Sequence, residues 1–413
     1  MQPHFANPTQ ALHWLSGSQK HGIKLGLESM RWLDAQLGQP SQKLRCIHIA
    51  GTNGKGSTAA FCEAALRALG FRTGLYTSPH LVRFAERIQI NRHPIDDTVV
   101  TEGLSKLQRI GEAHQVQPSF FELTTALAFW AFVQSHVDWV VLETGLGGRL
   151  DATNIVTPEI CLITPISHDH GHILGKDLTS IAGEKAGIIK PGVPVISVRQ
   201  DPAVEEVLSR VANEKKAPLH WSTSPWNNGS LNLAGAHQKT NAALARDALH
   251  LLLPDAEASR VAEALRNTTW PGRWDLRGSI LLDGAHNPAS LKAFRVNWRN
   301  HFGSKQAKVM LLGLMKDKDL LACLPYLQQL AETIIVTEAG GERSFPADQL
   351  AQALRAHDVA SNIVAEPSFD NAWLRITNDA SSAVPSSVVL GSLHLVAEVL
   401  AKIENTFVDR CEF

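Results

Sequence analysis

Gly51-Thr52-Asn53-Gly54-Lys55-Gly56-Ser57 combines residue types that together can hold a polyphosphate. Small residues let backbone N–H groups converge on anionic oxygens, and a helix N-terminus adds a favourable dipole. Lys55 has the reach to neutralise outer phosphates, and the Ser57 hydroxyl can join the coordination shell of Mg²⁺. In the general form of this cradle Lys directly precedes Ser or Thr, whereas here Gly56 stands between them. The flanks suit the role. The apolar run Leu44–Ala50 predicts a strand before it, and Phe61, Ala64, Ala65, Ala68 and Leu69 form one helical stripe after it, ended by Gly70.

Further groups could do chemistry in the same half of the chain. Glu143 follows the strand pattern Trp139–Leu142 and precedes Thr144-Gly145-Leu146-Gly147-Gly148-Arg149. A carboxylate at a strand end beside glycines suits a Mg²⁺ ligand, and an ion pair with Arg149 is its plainer reading. His168, Asp169, His170 and His172 crowd one loop. They could be zinc ligands, although neighbours in a tight loop rarely all face one ion. A single imidazole assisting a magnesium cluster is the alternative. Leu178, Ile181, Ala182, Lys185 and Ile189 share one helical stripe, so Lys185 belongs to an inward face. A buried ammonium either finds a carboxylate or drops in pKa to a neutral amine, which can capture CO₂ as a carbamate. Snorkelling along the apolar surface is its bland reading.

In the other half, Asp283-Gly284-Ala285-His286-Asn287-Pro288 follows a strand pattern and opens a helix. Asp283 is placed to meet a ribose hydroxyl, and Asn287 could cap the helix that Pro288 starts. Arg273 could reach phosphates, or be an exposed linker arginine.

These groups need a scaffold that brings strand ends together. Strand patterns at Leu44–Ala50, Thr73–Tyr76, Trp139–Leu142, Ile160–Ile166 and Val193–Val198 alternate with helical ones. That alternation predicts an α/β fold with a mostly parallel sheet. Helices are expected between His237 and Asn267, and Trp270-Pro271-Gly272-Arg273-Trp274 reads as a hinge. Beyond it, strands at Ile280–Leu282, Val309–Leu312, Thr333–Val336, around Ile363 and at Val388–Leu390 alternate with helices again. The expected domains are 1–272 and 273–413, in keeping with a chain of 413 residues.

Composition narrows the class. The chain is 44% hydrophobic and 19% charged with net charge −1, which offers no electrostatic case for nucleic acid or an anionic membrane. Five scattered cysteines, never spaced Cys-x-x-Cys, argue against a disulfide framework and for a reducing compartment. No export signal and no membrane-length apolar run are read, so a cytoplasmic protein is expected.

The order and spacing of these motifs resemble the folylpolyglutamate synthase/dihydrofolate synthase branch of the Mur ligases, from about Leu25 to Glu398. The resemblance is carried by Gly51–Ser57, Ser78-Pro79-His80-Leu81 through Glu86-Arg87, Glu143–Asn154, Asp169-His170, Gly183–Gly187, Pro271-Gly272-Arg273 and Asp283–Pro288. It implies a Mur-ligase-type P-loop ATPase domain and a smaller, Rossmann-like C-terminal domain closing on it. It assigns ATP phosphates to Thr52, Asn53, Gly54, Lys55, Gly56 and Ser57, and two Mg²⁺ ions to Ser57, Ser78, Glu143 and His170. Lys185 becomes the carbamylated lysine, Asn241 meets adenine or else caps its helix, and Arg273 and Asp283 hold ATP from the second domain. A pterin substrate would contact Lys24, Leu25, Gly26, Leu27, Phe121, Glu122, Leu123, Thr124, Leu150, Asp151 and Ala152. His286 and Ser392 would handle the incoming L-glutamate. His168 stands where an apolar residue is expected.

The implied activity is ATP-dependent ligation of glutamate to dihydropteroate and to the γ-carboxyl of tetrahydrofolate glutamates, by a monomer. A monofunctional polyglutamylase shares most of these motifs. A cell-wall Mur ligase would need a nucleotide-sugar domain before Leu44, a P-loop ATPase without ligation would not need Lys185, and a non-catalytic zinc protein would use the histidine loop.

Overall fold

The computed structural model describes residues 5–18, 26–169, 171–175, 177–338, 343–360, 362–376 and 384–409. The chain divides into two compact units, one from Met1–Asn232 with Gln238–Thr268, the other from Leu233–His237 with Thr269–Asp409.

The first unit is built on eight strands: Cys46–Ala50 (β1), Thr73–Tyr76 (β2), Ile88–Ile90 (β3), His93–Pro94 (β4), Trp139–Glu143 (β5), Ile160–Ile163 (β6), Val195–Val198 (β7) and Leu219–Ser222 (β8). Their order is β4-β3-β2-β5-β1-β6-β7-β8. The pairs from β2 through β8 are parallel, and β3 and β4 add an antiparallel edge. Every residue of β1 is buried, as a strand covered on both faces requires. Because β1 lies between β5 and β6, the loops leaving those strands flank the loop leaving β1. That is the topological switch point of an open parallel sheet, where ligands bind.

Local chemistry sets the ends of these elements. β6 stops at Ile163 instead of the expected Ile166, since Pro165 cannot donate to a ladder. The helix Leu178–Ala186 ends earlier than the stripe to Ile189, with Gly187 as its C-cap. The helix Phe120–Gln134 was not among the sequence expectations. It is apolar all round, so it shows no stripe, yet Ser119 and Glu122 form a capping box at its start. Its residues Leu123, Leu127, Phe129 and Phe132 sit in one core with Tyr76, Val140 and Leu142.

The second unit holds six strands: Asp275–Arg277 (β9), Ile280–Leu282 (β10), Ala307–Leu312 (β11), Ala331–Val336 (β12), Asn362–Ala365 (β13) and Ser387–Leu390 (β14). The order is β13-β12-β11-β14-β10-β9, all parallel except the β9–β10 pair. Helices begin at Pro288, Leu320, Ala347, Phe369 and Leu393, after strands as the alternation predicts. Among the described residues no helix is long and apolar enough to cross a membrane.

Phe129 is fully buried in the first core. Phe129→Ala should lower unfolding free energy by about 3–5 kcal/mol, read as a lower urea midpoint of the first unit's transition.

Candidate active site

The cradle hangs between two neighbouring strand ends. Thr52 and Asn53 donate their backbone N–H to the Pro165 carbonyl, at 2.9 and 3.2 Å. Thr52 Oγ1 donates to the Ser167 carbonyl and accepts from Ser167 N, both at 3.1 Å. Two glycines make the turn possible. Gly51 has φ +153 and a Cβ there would lie 1.8 Å from Thr164 Oγ1; Gly54 has φ +88 and a Cβ would lie 2.6 Å from Asn241 Oδ1. Gly54 is also the N-cap of the helix Lys55–Ala68, so no side chain covers the first N–H groups of that helix. Bare N–H groups at a helix start are an anion site.

Lys55 projects from this helix start. Its Nζ donates to the Thr52 carbonyl at 3.4 Å and lies 3.9 Å from Glu143 Oε1. Glu143 ends β5, opposite Ile49 of β1, and is buried. Its Oε2 accepts from Ser78 N at 3.2 Å. Arg149, the partner of the plainer reading, instead pairs with Glu184 at 2.8 Å. Ser57 is buried, and its Oγ accepts from Gln238 Nε2 at 3.2 Å. Gln238 Oε1 in turn accepts from Asn241 Nδ2 at 3.0 Å. Asn241 therefore lies inside the helix Ala236–Leu252, packed on the cradle at Gly54, and is not a helix-start cap.

Lys185 is the electrostatic centre of the arrangement. It is buried on the inner face of Leu178–Ala186, and its Nζ donates to the Gly51 carbonyl at 2.7 Å. Burial, and then the charge of Lys55, push its pKa down to about 7, against the pull of Asp169 and Asp151. At neutral pH a lysine with its ordinary pKa is uncharged in only about one molecule in 3000. Here the neutral amine is a major form.

Several expected site residues also bond within their own segments. Asp151 Oδ2 accepts from Gly145 N and Leu146 N at 2.8 and 2.9 Å, while Oδ1 accepts from Thr153 N and Thr153 Oγ1 at 3.0 and 2.5 Å. Burial raises its pKa in spite of these bonds. Glu122 accepts from Ser119 N and Oγ, each at 2.7 Å, and Thr124 Oγ1 donates to the Phe120 carbonyl. Leu27, Leu123 and Ala152 are buried, whereas Gly26, Phe121 and Leu150 keep partial exposure. Phe121 packs against Tyr76 with ring centroids 6.1 Å apart. Lys24, Leu25 and His170 lie outside the described residues, as does the His172 side chain; His168 is exposed. Among the described residues, which leave out two of the four ligands of the zinc reading, no group of three or more His, Cys, Asp or Glu side chains could hold a metal.

In the second unit Asp283 follows β10. Its oxygens accept from Trp274 N and Ala285 N, both at 2.9 Å, and burial raises its pKa while Arg273 opposes the rise. Arg273 Nη1 donates to Gly272 O at 3.0 Å. His286 Nδ1 lies 2.7 Å from the Gly284 carbonyl. Ser392 is the N-cap of Leu393–Ile403, accepting from His394 N at 3.0 Å. Asn287 caps Pro288–Phe302, as expected. Sequence reasoning missed Gln238, whose i, i+3 spacing to Asn241 was the available signal, and Thr164, which only the tertiary fold brings to Gly51.

The Glu143 carboxylate and the Ser57 hydroxyl, both near the start of the helix Lys55–Ala68, are hard oxygen donors of the kind that fit Mg²⁺. Residues 49–244 match the Mur ligase middle domain, and residues 272–392 match the Mur ligase glutamate ligase domain. The chain belongs to the Mur ligase family, within the branch of the dihydrofolate synthase/folylpolyglutamate synthases. It is 34% identical to the Bacillus subtilis dihydrofolate synthase/folylpolyglutamate synthase, over 95% of this chain and 98% of that protein. Its fold is similar to that of Escherichia coli FolC in complex with DHPP and ADP, with TM-score 0.85 and 30% identity over 98% and 99% of the two chains. A Yersinia pestis bifunctional folylpolyglutamate synthase/dihydrofolate synthase complexed with AMPPNP and Mn ion superimposes with TM-score 0.84, at 30% identity over 98% and 100%.

The lowered pKa of Lys185 carries a stability signature. Between about pH 7 and its ordinary value the unfolded chain binds the proton and the folded chain does not, so stability rises with pH through that window. Lys185→Met should remove this slope. Urea unfolding at about pH 7 and pH 9 should show a variant-minus-native difference that shrinks by about 2–3 kcal/mol at the higher pH.

Proposed function

We propose that this protein joins L-glutamate to dihydropteroate, giving dihydrofolate, and to the γ-carboxyl of tetrahydrofolate glutamates, at the expense of ATP. The observation that carries the reading is the convergence of Lys55, Glu143 and Lys185 on the loop after β1. That convergence sits in a chain matched over nearly its whole length by a bifunctional folate synthase. The domain assignment 1–272 for ATP and pterin, with 273–413 for ligation, belongs to the same proposal, as do action as a monomer and a cytoplasmic setting.

The cradle from Thr52 to Ser57 binds the phosphates, chiefly through the backbone N–H groups at the start of the helix Lys55–Ala68, and Lys55 neutralises the outer ones. Ser57, Ser78, Glu143 and His170 would hold Mg²⁺, which supplies charge neutralisation at the transferring phosphoryl group. Lys185, part neutral at physiological pH, combines with CO₂ and loses a proton to become a carbamate, exchanging a buried positive charge for oxygen donors. A carboxylate oxygen of the pterin acid attacks the γ-phosphorus, the bond to the bridging oxygen breaks, and ADP leaves. The amine of glutamate then attacks the acyl carbon, loses a proton and expels phosphate, leaving the amide. Phe121 and Leu150 offer partly exposed apolar surface to the pterin side, and Asn241 lines the adenine side. Arg273 and Asp283 contribute to ATP, and His286 and Ser392 to glutamate.

Phosphate release by purified protein with ATP, Mg²⁺ and L-glutamate tests the reading. Release should rise on adding dihydropteroate and, separately, on adding tetrahydrofolate. Release indifferent to both sinks it. Glu143→Gln should lower kcat by about a hundredfold or more while the chain stays folded.

A further inference from the structure

His48 sits in the middle of β1, paired in register with Leu142 of β5 and Cys161 of β6, and is wholly buried. An imidazole in such a run must satisfy its nitrogens or carry a reason not to. Nε2 lies 2.8 Å from Thr153 Oγ1. Nδ1 has no hydrogen-bond partner among the described residues. Burial, and then the charge of Lys190, push the pKa of this ring down to about 3, so it is neutral and must choose a tautomer.

The neighbours dictate that choice. Asp151 is the hub of the loop after β5, receiving the N–H groups of Gly145, Leu146 and Thr153. Its fourth bond comes from the Thr153 hydroxyl, 2.5 Å away. That hydroxyl has a single proton. If His48 carried its proton on Nδ1, Nε2 would demand the hydroxyl proton and Asp151 would lose a donor. With the proton on Nε2, His48 donates to Thr153 and Thr153 donates to Asp151. Every proton in the chain then points toward the buried carboxylate.

We propose that His48 is a positioning residue. As the Nε2–H tautomer it aims the Thr153 hydroxyl at Asp151, and so fixes the loop from Gly145 to Thr153 whose Leu150–Ala152 stretch is assigned to the pterin acid. This role rests on the proposed function for its kinetic consequence, though not for its geometry. Glu143 is held separately by the β5 ladder, so loosening the loop should weaken pterin binding more than the handling of ATP. One hydrogen bond to a charged group is worth roughly ten- to hundredfold in an equilibrium.

The test uses the full chain and three variants. His48→Gln keeps an amide N–H near the position of Nε2, His48→Leu removes the donor, and Thr153→Val removes the hydroxyl at nearly constant shape. His48→Leu and Thr153→Val should raise KM for dihydropteroate about ten- to hundredfold, with KM for ATP and kcat changed less than about threefold. His48→Gln should recover most of the loss. The His48→Leu, Thr153→Val double variant should be no worse than Thr153→Val alone, because both act on one chain of bonds. Amide exchange at Gly145 and Leu146 should quicken about tenfold in His48→Leu and return toward normal in His48→Gln. Nitrogen NMR of the native imidazole should find the proton on Nε2. A proton on Nδ1, equal damage from Gln and Leu, or additive effects in the double variant overturns the proposal. If His48→Leu fails to fold, Thr153→Val and the tautomer still decide. Native protein without any dihydropteroate-dependent turnover would overturn the reading of the site instead, while exchange and tautomer would still judge His48.

Discussion

The amine of Lys185, buried against the carbonyl of Gly51 at 2.7 Å, is the constraint around which the first unit is arranged. It ties the helix Leu178–Ala186 to the first residue of the cradle and sets a basic nitrogen where phosphate chemistry would occur. Lys55 stands close enough to depress its pKa, so two amines share a confined region with the Glu143 carboxylate. Such crowding of like charge is unfavourable for a stable fold taken by itself. It becomes sensible when anions and a divalent cation complete the site, or when one amine exchanges its charge for a carbamate.

The carboxylates divide by surroundings. Asp151, one oxygen of Glu122, and Asp283 accept from backbone N–H groups or hydroxyls close to them in sequence, bonds that fix local shape. Glu143 ends a central strand beside Lys55 and Ser78, with its carboxylate directed at the cradle. Residue type alone cannot separate these roles, since Asp283 and Glu143 each stand at a strand end with a glycine one or two residues on. What separates them is the range of their bonds: Asp151 and Glu122 bond near neighbours in sequence, whereas Glu143 meets Ser78 and Lys55, which are distant in sequence.

Legibility in the sequence followed the range of the interactions. The cradle was readable because its chemistry needs adjacent residues, and Lys185 because helical periodicity reports which face is inward. Strands β1, β2, β5, β6, β7 and β10 to β14 were readable as short apolar runs between turn residues, though β6 ended early where the Pro165 carbonyl turned to the cradle. Strands β3, β4, β8 and β9 were not among the expectations. The helix Phe120–Gln134 escaped because a segment buried on all sides has no period to detect. The pairing of Thr164 with Gly51, of Gln238 with Ser57 and of His48 with Thr153 joins residues far apart in sequence. No local pattern encodes such contacts.

Oxygen tracing bears most directly on the claim that the acid is activated as its acyl phosphate. Dihydropteroate labelled with ¹⁸O in its carboxylate should pass a label atom to inorganic phosphate during turnover with ATP and L-glutamate. Phosphate that emerges unlabelled while dihydrofolate forms would contradict the account.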